Sequence, residues 1–419
     1  MKRVIIFSFF LFCLLATPLI AEKITLWTAP NMYQEQFWKV ILEEWKQVRP
    51  DIEVEWKTIP ASGSSEEAIL TAIVTDKAPD LCTNIFSGFA AQLIEADQLV
   101  ALNTLEGFDE LVQIRKADEG IKGWNFSGKY YVFPIYSNPM LFWWREDILA
   151  EAGFDSPPRT YSDVYKLAEN FCKPKETYAI EYLKGRNWWD RWFDFITFYY
   201  AASSGQPYID VERSRAIFNN DAGIAVVEFG QKLFDEGWTS TDMMDNPLYT
   251  GHLAGQLMGP WSIPEAQNMF PEIFPEKIVM SYPPVPDDYP EDQPVKTFAD
   301  TKGMVMFKSS KNKESAWEFM KWVYSNPEHD RLWFEMTGLP PVRSDLTSNA
   351  LFQAIIEENP MLELYAKAVP NSVPPALISK TTEVQDIMTT HLTEPIYLVD
   401  QSAEEIIKNC ISKINKELF

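Results

Sequence analysis

Histidine and cysteine are both scarce, with three and four residues in a chain of 419. His252, His329 and His391 are too scattered for a zinc site of the usual spacing. No Cys-x-x-Cys occurs. Cys13 falls in an amino-terminal apolar stretch. Cys82, Cys172 and Cys410 are odd in number and widely spaced, which predicts buried free thiols and leaves a single disulfide unsupported. Basic residues are in deficit, 37 Lys and Arg against 60 Asp and Glu, for a formal net charge of −23. Such a chain repels nucleic acid and anionic lipid head groups, so neither is expected as a partner. The charge says little about a neutral ligand. Past residue 21 no stretch is long and apolar enough to span a bilayer. There is no Gly-x-Ser-x-Gly, no His-Glu-x-x-His and no Walker loop, and neither an internal repeat nor a low-complexity segment.

What is present is the composition of a folded protein. Apolar residues make up 46% of the chain, and its length allows two or more domains with cores of their own. The 15 Trp, 17 Tyr and 27 Phe can fill those cores and leave rings over for a binding surface. Residues 1–21 have the pattern of an export signal: Lys2 and Arg3, an apolar middle from Val4 to Leu15, and a small-residue exit at Ala21. An uncleaved anchor suits Pro18 and that exit less well. Cys13 lacks the small-residue context of a lipid-attachment site. The mature chain is expected to be soluble and periplasmic or extracellular.

Residues 128–149, GKYYVFPIYSNPMLFWWREDIL, organise the rest. Residues 130–134 read as a strand, Tyr136, Ser137 and Asn138 as a polar step before Pro139, residues 140–144 as a second strand, and residues 145–152 as a helix closed by Gly153. Two readings fit. Either the Pro-bracketed step carries the chain from one lobe to another, with Tyr136 and Asn138 in the crevice, or two strands of one sheet are joined by a turn.

Strands and helices alternate before this stretch. KITLW is followed by a helix that Asn31-x-x-Gln34 caps, with Phe37, Ile41 and Trp45 on its stripe. An alternating strand over residues 52–59 leads to a helix capped by Ser64-x-x-Glu67, with Ile69, Leu70, Ile73 and Val74 inward. A short strand over residues 80–85 precedes a helix that Ser87 can cap. This is the pattern of an α/β sheet with crossover helices, which binds ligands at the carboxyl ends of its strands. Trp27, Asn31, Ser64 and Ser87 would then sit near one crevice; plain connecting loops are the competing reading. Later, Trp188-Trp189-Asp190-Arg191 is richer in Trp than a helix start needs for packing. Residues 297–307 read as a second passage between lobes and residues 339–343 as a rigid third.

Several stretches, in order, resemble the extracellular solute-binding proteins of ABC importers, in the carbohydrate-binding branch to which maltodextrin-binding proteins belong. They are KITLW, PDIEVEW, APDL, GKYYVFPIYSNPMLFWWREDILAEAGFDSPPRTYSDV, GQLMGPW, and KGMVMFKSSKNKESAWEFMKWV with TGLPPVR behind it. The resemblance implies a two-lobed α/β fold hinged by three crossings with ligand in the inter-lobe cleft. It places the amino-terminal lobe at residues 22–134 with 300–342 and the other at 135–299 with 343–419. It implies a monomer that captures a sugar or oligosaccharide by lobe closure and delivers it to membrane permease subunits, with no cofactor, no metal and no catalysis. Trp261 of GPW matches a position whose indole stacks on sugar. Asp300 and Arg343 stand beside the second and third crossings, where the family places polar contacts. The Trp188–Trp189 departure suggests further sugar subsites or a core plug.

A sugar offers apolar C–H faces and a rim of hydroxyls. Aromatic platforms and charge-assisted hydrogen bonds suit it. Trp261 with Trp188 or Trp189 would be the platforms. Asn31, Ser87, Tyr136, Asn138, Asp300 and Arg343 would read hydroxyls, with Trp27, Ser64 and Arg191 beside them. Two rivals remain open: a secreted glycoside hydrolase with facing carboxylates, and a binder of peptides or phosphorylated small molecules.

Overall fold

A computed structural model describes residues 22–60, 64–182 and 194–418. Residues 1–21, read above as an export signal, and Trp188, Trp189 and Arg191 lie outside the described residues. The strands that build the two main sheets are, in chain order, β1 (Glu22–Thr28), β2 (Ile52–Thr58), β3 (Leu81–Ile85), β4 (Val132–Pro139), β5 (Leu141–Arg145), β6 (Tyr178–Ile180), β7 (Leu253–Met258), β8 (Ile278–Ser281), β9 (Thr297–Met306) and β10 (Ser372–Val373). One sheet runs β10-β9-β3-β1-β2, with β4 on the other side of β9; the second runs β8-β5-β7-β6. The two-lobed α/β expectation is met.

Each sheet is covered on both faces, and strand alternation shows how. In β1, Ile24 and Leu26 enter one core with Phe37, Trp38 and Trp333, while Trp27 enters the opposite one with Ile69, Cys82 and Phe89. In β5, Leu141 and Trp143 pack with Phe274 and Phe352, while Phe142 and Trp144 pack with Tyr182, Phe198 and Phe229. An unbroken apolar run such as LFWW is what a strand buried on both faces requires.

The helices follow the caps foreseen, with differences. Asn31 Oδ1 accepts from the Tyr33 and Gln34 amides at 3.1 Å, opening the helix Met32–Val48. Ser64 Oγ accepts from the Glu67 amide, opening the helix Ser65–Val74. In that helix Ile69 and Ala72 are the buried pair, whereas Leu70 and Val74 face out. Its apolar residues cover more than one stripe, so periodicity alone could not choose the inward face. Ser87 does not cap. Phe86 holds the cap position without a side-chain bond, and Ser87 is the first helical residue.

The two sheets are joined where β4 becomes β5. Residues 136–138 are not a turn but the continuation of β4, and every residue of that strand is buried. Its backbone is satisfied from both sides. β9 pairs with it in antiparallel register, and on the other flank the Ser137 amide donates to Pro340 O while the Val342 amide donates to Ile135 O. A polar segment stays extended when neighbours on both edges take up its N–H and C=O groups. Met140 is fully buried at the passage, its amide donating to Phe298 O at 2.8 Å.

Beneath the ladder lies a buried ionic cluster. Arg115 is fully buried and donates to the Pro134 and Ile135 carbonyls of β4. It also meets Asp330 through Nε at 3.1 Å and Nη2 at 2.9 Å. Asp330 Oδ2, which accepts from Arg115 Nε, also accepts from Arg343 Nη1 at 3.2 Å. Removing one member strands a buried charge, which costs about 3–5 kcal/mol. Arg115→Leu is therefore expected to lower the chemical-denaturation stability by roughly that amount; a midpoint equal to wild type would refute the cluster's role.

Candidate functional site

The strand directions locate the cleft. β4 and β3 are both antiparallel to β9, so they run the same way, and β1 and β2 run with β3. The carboxyl ends of all four point to where β4 leaves for the second sheet. On the far side β5 starts at that passage. β7 is antiparallel to it, with Met258 opposite Leu141, so β7 also ends facing the first lobe. Loops after β1, β2 and β3 thus confront the loop after β7.

That last loop is Gly259-Pro260-Trp261. Trp261 is 37% exposed, in contrast to the 6% of Trp27. A Cβ on Gly259 would collide with the six-membered ring of Trp261, so the indole lies directly against the glycine. One side of the ring is bedded on backbone and part of the remainder is accessible.

Across the cleft, β4 and β9 set four of the side chains in register. Asn138 stands opposite Asp300 and Tyr136 opposite Lys302. Directly opposed residues of an antiparallel pair share a face, so all four lie on one side of the ladder. Tyr136 and Asn138 are each 4% exposed, deeper than a crevice turn would hold them. The Tyr136 ring stacks on Trp333 at 5.5 Å, and its hydroxyl meets the side chain of Gln34. Burial chiefly pushes the Tyr136 phenol up. Asn138 Oδ1 is buried with no partner among the described residues, as is Ser87 Oγ.

Asp300 and Lys302 are half-exposed and form an ion pair at 3.3 Å. Burial disfavours the Lys302 charge, but Asp300, Tyr136 and Glu66 outweigh it and hold the ammonium above its usual value. Lys302, Gln34 and Glu66 were not anticipated from the sequence. The signal for Lys302 was there: two residues past Asp300 in a strand is the same face.

The remaining predicted residues are dispersed. Trp27 and Ser64 line a concavity of about 500 Å³ with Lys57, Pro60 and Glu67, and Lys57 Nζ lies 4.4 Å from the Trp27 ring centre. Trp27 is covered, so it offers no open platform. Asn31 is exposed but its oxygen serves the helix cap. Ser87 is buried, and its neighbour Gly88 lies against Thr381: a Cβ on Gly88 would collide with Thr381 Oγ1. Arg343 is 4% exposed, its Nε and Nη2 grip Asp345 at 2.9 Å each, and its Nη1 reaches Asp330. These bonds brace the third crossing. Cys82, Cys172 and Cys410 are free thiols, with Cys172 only partly buried. Among the described residues no cluster of His, Cys, Asp or Glu could hold a metal, and no helix is long and apolar enough to cross a membrane.

A family model described as bacterial extracellular solute-binding protein matches residues 29–329. The maltotriose-binding protein of Pyrococcus abyssi is 24% identical over 418 residues, covering 92% of this chain and 82% of that one. Among solved structures, an uncharacterised protein of Listeria monocytogenes superposes with a TM-score of 0.89 at 34% identity, covering 95% of this chain and 100% of that one. The cyclic α-maltosyl-1,6-maltose binding protein of Arthrobacter globiformis shares the fold, with a TM-score of 0.81 at 16% identity over 95% of this chain and 99% of that one.

Two outcomes are expected from this geometry. Gly259→Ala should push the Trp261 indole off its bed, seen as a displaced ring in a crystal structure of the variant; an unmoved ring would contradict the packing. The second concerns Asp345. Burial would raise its carboxyl, but hydrogen bonds from Arg343 and Asn349 and the guanidinium charge hold it below the ordinary value. A carboxyl held low when folded adds stability that is present above its unfolded value near about 3.9 and is lost as pH falls through the folded value. Arg343→Met should therefore be less stable than wild type at neutral pH, with the gap narrowing below about pH 4. Denaturation midpoints measured across that range check it, and a gap independent of pH would count against the pairing.

Proposed function

The chain belongs to the bacterial extracellular solute-binding proteins, and from that membership we propose that it captures a saccharide between its two lobes and hands it on uncleaved to the permease subunits of an ABC importer. The observation that carries the sugar reading is Trp261, a part-exposed indole bedded on Gly259 at the cleft-facing end of β7. A flat ring matches the C–H face of a pyranose and loses little rotamer freedom on binding. The polar row on the opposing ladder, Asn138, Asp300 and Tyr136, supplies groups for the hydroxyl rim. The name of the Pyrococcus relative favours an oligosaccharide over a single sugar. Trp188, Trp189 and Arg191 are retained as candidates for additional subsites.

The lobes we assign are residues 22–134 with 300–342, and 135–299 with 343–419, so that each boundary falls within β4, β9 or the third crossing. The protein works as a monomer outside the cytoplasm, after removal of residues 1–21. Ligand that touches both lobes favours the closed form by its differential affinity for that form and by nothing else. A binding constant near about 1 μM corresponds to about −8 kcal/mol.

A thermal-shift screen over mono- to hexasaccharides tests the reading. A ligand present at about 100 times its dissociation constant should add about 2.7 kcal/mol of stability, and the sugar should be recovered intact. Trp261→Ala should weaken that binding about tenfold or more, which is about 1.4 kcal/mol. Cleavage products would point to a hydrolase, and the absence of any shift across the panel would remove saccharides as the ligand class.

A further inference from the structure

Asp300 and Lys302 are oddly placed for a merely structural ion pair. They sit on the ladder that joins the lobes, on one face, two residues apart, with side chains 29% and 27% exposed. Among the described residues neither side chain makes a hydrogen bond apart from their mutual contact at 3.3 Å. The pair is close to the openings of two helices: Gln34 of Met32–Val48 reaches Tyr136, and Glu66 of Ser65–Val74 acts on Lys302. It therefore lies at the mouth of the first lobe, where the cleft-facing loops converge.

We propose that Asp300 and Lys302 act together as a diol-reading pair that contacts the bound saccharide and restricts it to uncharged sugars. This rests on the saccharide reading of the cleft. An ammonium has three donors and no acceptor; a carboxylate has four acceptor positions and no donor. One donor and one acceptor position are used on each other, which leaves both kinds free side by side. Two neighbouring hydroxyls need that combination, one accepting from Lys302 and the other donating to Asp300. The ion pair holds both groups in place before ligand arrives, so little side-chain entropy remains to be lost.

The local charge sets the second half of the selectivity. Lys302 is faced by two carboxylates, Asp300 and Glu66. The set carries one net negative charge within a chain of net −23. A uronate or sugar phosphate lodged here would stand beside like charges in a partly desolvated site, with only one cation already engaged. A neutral sugar pays no such penalty.

The test uses the full mature chain and isothermal titration. The probes are maltotriose, cellotriose, xylotriose and arabinotriose as neutral trisaccharides, with trigalacturonate as the anionic one. Wild type should bind its preferred neutral trisaccharide at least 100-fold more tightly than trigalacturonate. Lys302→Met, which keeps the apolar stem, should lose at least tenfold on that neutral sugar, as should Asp300→Asn. Ligand-free melting confirms that each variant is folded, and if one is not, the other decides. A folded variant that binds within twofold of wild type overturns the pair's role while leaving the saccharide reading intact. Equal binding of trigalacturonate overturns the charge selection. A wild type that binds none of these sugars overturns the saccharide reading and this inference with it.

Discussion

Arg115 is fully enclosed, and the position of the crossings follows from how its guanidinium is satisfied. Its guanidinium takes two carbonyls of β4 and both oxygens of Asp330, and Asp330 in turn holds Arg343 of the third crossing. One buried cation thus ties the first crossing to the third. An ion in this setting is stable only while every partner is in place, so the cluster acts as a single unit. Two of the three crossings are pinned to each other by it, and the remaining one, β9, is pinned to β4 by the ladder.

With the crossings fixed, the cleft is a consequence of strand direction. The carboxyl ends of four strands in the first sheet and of β7 in the second must point at the same gap, because β4 runs into β5 there. Trp261 is at that gap because it follows β7, and Asp300 and Lys302 because they are part of β9. Met140 and Phe298 lie where the backbone passes between sheets, the Met140 amide donating to Phe298 O.

Local chemistry made much of the molecule legible in advance. Asn31 and Ser64 cap helices because their short side chains reach amides two and three residues on, and no distant part of the chain is needed for that. The LFWW run announced a strand over residues 140–144, realised as Leu141–Arg145. Less legible were faces and depths. The helix Ser65–Val74 has apolar residues on more than one stripe, and only the sheet it packs against selected Ile69 over Leu70. Residues 136–138 look like a turn by composition, and became strand because β9 and residues 340–342 supply hydrogen-bonding edges from far along the chain.

Arg343 and Lys302 show the division most sharply. Both are cations beside a crossing, and each has an aspartate two residues away in the chain. Arg343 is enclosed by Asp345, two residues on in the chain, and by Asp330 of the preceding helix, which also holds Arg115 from far along the chain. Lys302 stayed half-open because its face of the ladder looks toward the lobe mouth. By itself the sequence determined the alternation of strands and helices, the Asn31 and Ser64 caps and the family, since these depend on neighbours along the chain and on the order of motifs. The tertiary structure alone decided which charges are buried and which remain available, since depth depends on what covers each pair, as where Asp330 meets Arg115 from 215 residues away.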